Sequence, residues 1–280
     1  MRALVIEGGG MRAAYASGAV HGLAEADLQV DAVYGTSAGG AIAAWFGAGQ
    51  AHESPRTWAW AADRTLMSYR RWLTGRGPLW DLQRLYQTFY LERIRLKVEA
   101  LASARFPVRV SVTDADTGEA LYPDLRQGPV HDLLMATSAL PLAVAKPVEA
   151  LGRRLLDGGV ADPIPVARAI ADGYTDLVVV LNRPKGPPRK PEPWWVSRLA
   201  AREYPAIAHL SARHHDLHNA AVALAENPPP GVRITLVRPT RPTGLSRLTR
   251  DPRLLDRAIR QGFEDGQAAL ARGPGVRQRL

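Results

Sequence analysis

Three consecutive glycines follow a short apolar run and precede a helix-like stretch in "LVIEGGGMRAAYASG", residues 4–18. Glycine costs about 0.5–1 kcal/mol relative to alanine inside regular structure. Gly8, Gly9 and Gly10 together therefore mark backbone that must come close to another group. A second cluster repeats the design in "VDAVYGTSAGGAIAAW", residues 30–45. Strand, glycine turn, helix is the unit in both places. Further strand-like runs are expected at residues 3–7, 30–34, 108–113, 153–156, 177–181 and 232–237. Helix-like segments are expected at 12–26, 38–48, 53–69, 79–102, 130–139, 163–172, 194–225 and 252–271. Strands alternating with helices specify an α/β chain with a mostly parallel sheet covered on both faces.

The 280 residues suffice for one large domain, and the 46% hydrophobic, 22% charged composition is that of a globular protein. The N-terminal apolar run breaks at Glu7, unlike a secretory leader, so a cytoplasmic location is expected. Absence of cysteine excludes disulfides, thiolate metal sites and cysteine nucleophiles. The formal charge of +9 is carried almost wholly by arginine. It fits either an anionic phospholipid surface or an arginine-rich solvated exterior. No nucleic-acid-binding pattern accompanies it, so nucleic acid is not an expected partner. Two segments read as exposed insertions: "NRPKGPPRKPEPWW", residues 182–195, and "YRRWLTGRGPLW", residues 69–80. Their Trp and Arg suit a headgroup region, and equally a surface loop with partly buried Trp.

Gly35-Thr36-Ser37-Ala38-Gly39 is a G-x-S-x-G pentapeptide between an apolar strand and an alanine-rich helix. A nucleophilic serine at such a turn is strained, its neighbours two away must be small, and the helix start offers free N–H groups. Gly8–Gly10 can supply an oxyanion hole, since glycine amides are unobstructed. Phosphate is a weaker occupant: the loop lacks the P-loop lysine and the third glycine of a dinucleotide fold. None of the seven histidines sits in a short glycine-rich loop. Four lie in "HLSARHHDLH", residues 209–218, which reads as a solvated helix face; the His214/His218 pair lacks the glutamate of a zinc helix. Asp157 in "RRLLDGGVADPIPV" would stand at a strand's carboxyl end, where open α/β sheets build sites, or would merely make an Asp-Gly turn.

Taken in order, the glycine loop Gly8-Gly9-Gly10-Met11-Arg12, the Ser37 pentapeptide and Asp157-Gly158-Gly159 resemble the patatin-like phospholipase family. "SVTDADTGEA" (111–120) and "ATSALPLAVAKPV" (136–148) also resemble it, and "GVRITLVRPTRPTGLSRLTRDP" resembles the C-terminal part of a bacterial subgroup. The resemblance implies a three-layer α/β/α fold over residues 1–280, with a subgroup-specific extension from about 190. It implies a Ser–Asp dyad in which Ser37 attacks an acyl ester and Asp157 is the base. An oxyanion hole at Gly8, Gly9, Gly10 and Met11 would accompany it, with no metal or cofactor. Gly35, Gly39, Gly158 and Gly159 would support the turns. Arg12 would steady the loop, meet a lipid phosphate, or stand as a surface arginine. The expected partner is a lipid or small acyl ester, with peripheral contact to an anionic membrane. Two departures are Glu7 for the family's frequent Asp, which keeps the charge, and Ala13 for Gly, whose Cβ would narrow access. A hydrophobic cleft lined by the Trp-bearing helices between residues 53 and 101 is expected. Rival readings are acyl transfer by the same dyad, a catalytically silent membrane-surface protein, and a Ser-His-Asp α/β-hydrolase recruiting His209 or His214.

Overall fold

The computed structural model describes residues 1–62, 68–74, 76–87, 92–141, 143–144 and 146–271. Strand β1 (Arg2–Ile6) leads through the first glycine loop and a 3-10 turn (Gly10–Ala13) into α1 (Ala14–Glu25). Strand β2 (Ala32–Thr36) leads through the second into α2 (Ala38–Gly47). Helix α3 (Ser54–Ala61) and three short helices, α4 (Tyr69–Leu73), α5 (Leu82–Tyr86) and α6 (Val98–Ala102), precede β3 (Val108–Asp114). Then come β4 (Ala120–Leu121), α7 (Val130–Thr137), the hairpin β5 (Val148–Ala150) and β6 (Arg153–Asp157), α8 (Val166–Ala171) and β7 (Asp176–Val180). Helices α9 (Trp194–Glu203), α10 (Ala208–Ala212) and α11 (His214–Glu226), strand β8 (Arg233–Val237) and α12 (Pro252–Ala271) complete the order.

The strands form one sheet in the order β5-β6-β3-β2-β1-β7-β8, with β4 also on β3. Pairing is parallel from β3 through β8 and antiparallel at β4, β5 and β6. Alternate residues of each central strand point to opposite faces. Leu4, Ile6, Val33, Val110 and Val178 pack with α1, α2, α7 and α12. Ala3, Val5, Tyr34, Leu177 and Val179 pack with α8 and α11 on the other face. The architecture is the expected mixed α/β sandwich around a mostly parallel sheet. No helix among the described residues is long and apolar enough to cross a membrane.

Register brings two strand ends together. Thr36, the last residue of β2, pairs with Ser111 of β3, and Asp157, the last of β6, pairs with the next residue, Val112. Because β2 runs parallel to β3 and β6 antiparallel to it, their carboxyl ends converge at this point. The C-terminal helix fastens to α1. A Cβ on Gly18 or Gly22 of α1 would overlap the Ile259 or Phe263 carbonyl of α12, and one on Gly262 or Gly266 would overlap α1 backbone at Tyr15 or Ala19. These four glycines let the two helices touch backbone to backbone.

Two expected helices are interrupted. Over 79–102, of which residues 88–91 lie outside the described set, the α-helix Leu82–Tyr86 passes into π-helical geometry at residues 87 and 92–93, the backbone is irregular at 94–97, and α-helix returns at Val98. Gln50 competes for the intervening backbone: its side chain donates to the Arg95 carbonyl and accepts from the Lys97 amide. Over 194–225, Pro205 cannot continue α9, and a 3-10 turn (Pro205–Ile207) separates it from α10 and α11. The expected helix over 53–69 ends at Ala61; residues 63–67 lie outside the described set. Strands β4 and β5 escape sequence reading because they are two and three residues long.

Candidate active site

Ser37 caps α2 with φ 56° and ψ −128°, a left-handed conformation costing a non-glycine residue about 1–3 kcal/mol. Its surroundings hold it there. A Cβ on Gly35 would overlap the Gly39 carbonyl, and one on Gly39 would lie 2.6 Å from the Ile6 carbonyl, so both positions require glycine. The Ser37 amide donates to Thr137 Oγ1 at 2.9 Å, and that hydroxyl donates to the Ser111 carbonyl at 2.6 Å. The turn is thereby tied to β3 through a threonine that no spacing rule singles out.

The Ser37 hydroxyl donates to Asp157 Oδ2 at 2.7 Å. Asp157 Oδ1 accepts the Gly159 amide at 2.7 Å, and Thr113 Oγ1 donates to the Asp157 carbonyl at 2.9 Å. Gly158 lies against the Ser111 carbonyl, where a Cβ would collide. Asp157 is only 3% exposed. Burial raises its carboxyl to about 6, and the Ser37 hydrogen bond, the Gly159 amide and the charge of Arg247 pull the other way without cancelling it.

The first glycine loop lies directly on this turn: a Cβ on Gly8 would sit 3.0 Å from the Thr36 carbonyl and 3.1 Å from Ser37 Cβ. Two of its expected oxyanion amides are engaged elsewhere. Gly8 donates to the Pro163 carbonyl and Met11 to the Arg247 carbonyl, both at 3.1 Å. Gly9 and Gly10 are left as the loop amides with no acceptor seen among the described residues. Gly10 has φ 54°, and a Cβ there would lie 2.8 Å from the Arg247 carbonyl. Arg12 donates to the Leu245 carbonyl at 3.3 Å, so it ties the loop to the C-terminal segment. Ala13 is fully buried in the core and does not line the cavity, so it does not narrow access.

Beneath the loop, Glu7 is buried and fully engaged. His218 Nε2 lies 2.9 Å from Glu7 Oε1, an Arg189 terminal nitrogen donates to the same oxygen at 2.8 Å, and the Asn182 amide donates to Oε2 at 2.6 Å. His218 binding and Arg189 binding lower the Glu7 carboxyl enough to outweigh its burial. The histidine stretch is therefore not a solvated face: His218 is 5% exposed, and His214 lines the cavity beside Ser37. Burial first, then the charges of Arg247 and Arg189, drive the His214 imidazole down to about 3. His209 instead lies near Gly118 and does not line the cavity.

A cavity of about 520 Å³ opens onto the serine. Trp58, Trp72, Leu79, Trp80, Leu82, Leu85, Tyr86 and Leu140 make its apolar wall, which matches the cleft expected from the Trp-bearing helices. Ser37, Asp157, Arg189, Glu192, His214 and Arg247 make its polar end. The insertion at 182–195 is largely extended and exposed as expected, yet it delivers Asn182 and Arg189 to the buried Glu7.

The family profile of patatin-like phospholipase matches residues 4–170, which hold both glycine loops, Ser37 and Asp157. The chain belongs to the patatin-like phospholipase family. That family is one of lipid hydrolases. A second profile, a domain of unknown function, matches residues 204–273. Among curated relatives, uncharacterized NTE family proteins of Mycobacterium bovis and Mycobacterium tuberculosis are 27% identical over 217 residues, covering 75% of this chain. The patatin-like chain spans 58% of their length. The uncharacterized protein YjjU of Escherichia coli is 28% identical over 260 residues, covering 86% of this chain and 69% of its own. The crystal structure of VipD from Legionella pneumophila aligns with TM-score 0.49 and 13% identity over 97% of this chain and 67% of that one.

The raised Asp157 carboxyl has a consequence for stability. Between about pH 4 and 6 the native state holds a proton that the unfolded chain has released, so this group's contribution falls as pH rises through that window. Above pH 6 the full cost, about 3 kcal/mol, is in place. Asp157→Asn can keep both hydrogen bonds, accepting from Gly159 and donating to Ser37. It is expected to raise the melting temperature at pH 8, with the gain shrinking toward pH 4; thermal unfolding of both proteins across that range checks it.

Proposed function

We propose that this patatin-like chain is a serine acyl-ester hydrolase of lipids. The observation carrying the reading is the 2.7 Å hydrogen bond from a strained Ser37 to a buried Asp157 at the polar end of an apolar cavity. Ser37 Oγ attacks the ester carbonyl while Asp157 accepts its proton. A carboxyl raised to about 6 is ionised at neutral pH yet more basic than a free aspartate. The alcohol leaves with that proton, and Asp157 then activates the water that cleaves the acyl-Ser37 ester. The Gly9 and Gly10 amides receive the oxyanion, each such donor being worth about 10²–10³ in rate. The acyl chain occupies the Trp- and Leu-lined wall. Residues 1–280 act as one unit, since the C-terminal segment closes on the glycine loop through Leu245 and Arg247.

Covalent labelling tests this directly. A fluorophosphonate should label wild type on Ser37, leave Ser37→Ala unlabelled, and label Asp157→Asn at least a hundredfold more slowly. Label on a different serine, or none on the folded wild type, contradicts the reading.

The enzyme works as a peripheral protein on an anionic bilayer. Trp72, Leu140, Trp195 and Leu248 line the cavity and are also exposed, and α9 adds Trp194, 71% exposed, and Leu199. Arg198 and Arg202 stand exposed on the same helix. Aromatic and basic side chains around an apolar opening suit a headgroup region. Wild type should co-sediment with phosphatidylglycerol vesicles, and Trp194→Ala should reduce the bound fraction at least threefold. Equal binding of the two proteins contradicts this docking face.

A further inference from the structure

The polar end of the cavity carries more positive charge than the dyad requires. Arg189 and Arg247 line it together with Ser37, and Arg12 and Arg183 stand near enough for these guanidiniums to disfavour one another's charge. Burial, before those neighbours, brings Arg189 down to about 10 despite its contact with Glu7. Against four arginines stand Glu7, Glu192 and the dyad's own Asp157. Glu7 is consumed beneath the loop by His218, Arg189 and the Asn182 amide. Glu192 pairs with Arg247 at 3.2 Å, but the two side chains are 43% and 35% exposed, so a stronger anion can displace it. Arg189 is the less accessible of the pair at 11% exposed, and its Nε is buried with no acceptor among the described residues. Arg189, a buried guanidinium with a donor unused among the described residues, and Arg247, whose ion pair is solvated, thus line the same cavity. Phosphate oxygens match the fork of donors that each guanidinium presents. His214 adds no charge here at neutral pH, since its burial among these arginines holds the imidazole deprotonated.

We propose that Arg189 and Arg247 form a phosphate subsite for the alcohol half of the substrate, selecting acyl esters of glycerol phosphate whose headgroup has net negative charge. The proposal rests on the ester-hydrolase reading for its choice of ligand, but the site can be measured by binding alone. A zwitterionic headgroup would bring its ammonium among these arginines, where Glu192 is already paired with Arg247 and Asp157 is engaged with Ser37. Selection for the anionic headgroup therefore comes from repulsion as well as attraction. Both arginines belong to the C-terminal part of the chain, beyond the stretch that matches the patatin-like profile.

Non-cleavable octyl ethers of glycerol phosphate, glycerophosphocholine and glycerol, titrated calorimetrically into the full chain, separate this site from catalysis. Wild type should bind the phosphate ether at least tenfold more tightly than either of the others. Arg247→Gln should lower that preference at least tenfold and Arg247→Lys should restore part of it, which a general loss of fold would not do. Inorganic phosphate should bind more weakly and be displaced by the phosphate ether. Equal affinity for the three ethers, or a preference unchanged in Arg247→Gln, overturns the subsite. Equal affinity for inorganic phosphate and the phosphate ether overturns its assignment to a headgroup. Turnover plays no part in these titrations, so failure of the hydrolase reading shows up separately, as an unlabelled Ser37.

Discussion

The site depends on the meeting of two strand ends on one neighbour. Because β2 and β6 approach β3 from opposite directions and finish on Ser111 and Val112, the residues that follow or end them stand within hydrogen-bond reach. Neither strand alone could present that pair. The antiparallel hairpin formed by β5 and β6 is therefore the departure from parallel pairing that delivers the aspartate. Glycines at 35, 39 and 158 are then required by contact rather than by flexibility, since each faces a backbone carbonyl at overlapping or near-overlapping distance.

Holding a carboxylate in so dry a place works against folding. Asp157 has two donors to its oxygens, Ser37 and Gly159, and these do not offset its desolvation. Stability must come from elsewhere, and the two-sided core around the sheet and the glycine-mediated contact of α1 with α12 are where it is found. Opposite behaviour is seen at Glu7, equally buried but supplied with an imidazole, a guanidinium and an amide, and accordingly held ionised. One buried carboxylate is left basic and the other is locked as a counter-ion.

Local sterics made much of this legible in advance. Ser37 and the two glycine turns could be read because strand-to-helix turns leave short patterns of small residues, whereas Asp157 stood evenly between a site and an Asp-Gly turn until the family resemblance paired it with Ser37. The sheet's central strands could be read because they are apolar on both faces. What was not legible spans long separations. Arg189 reaches Glu7 across 182 positions and His218 across 211, so the insertion and the histidine stretch looked like surface. The Arg247 carbonyl takes the Met11 amide that the family resemblance placed in the oxyanion hole, and the Pro163 carbonyl takes that of Gly8, which the glycine pattern had placed there. Helix interruptions at Arg95–Lys97 likewise arise from a distant side chain, Gln50, which local periodicity does not register.

The central claim is that Asp157 is a base tuned by burial and coupled to Ser37, and its carboxyl can be observed directly. With ¹³C-labelled aspartate and Asp157→Asn to assign the signal, the carboxyl resonance is titrated in wild type and in Ser37→Ala. The account predicts a midpoint near 6 in wild type, moving upward in Ser37→Ala because a hydrogen bond favouring the ionised form is lost. A midpoint at the ordinary aspartate value of about 3.9, unchanged by removal of the Ser37 hydroxyl, would contradict it.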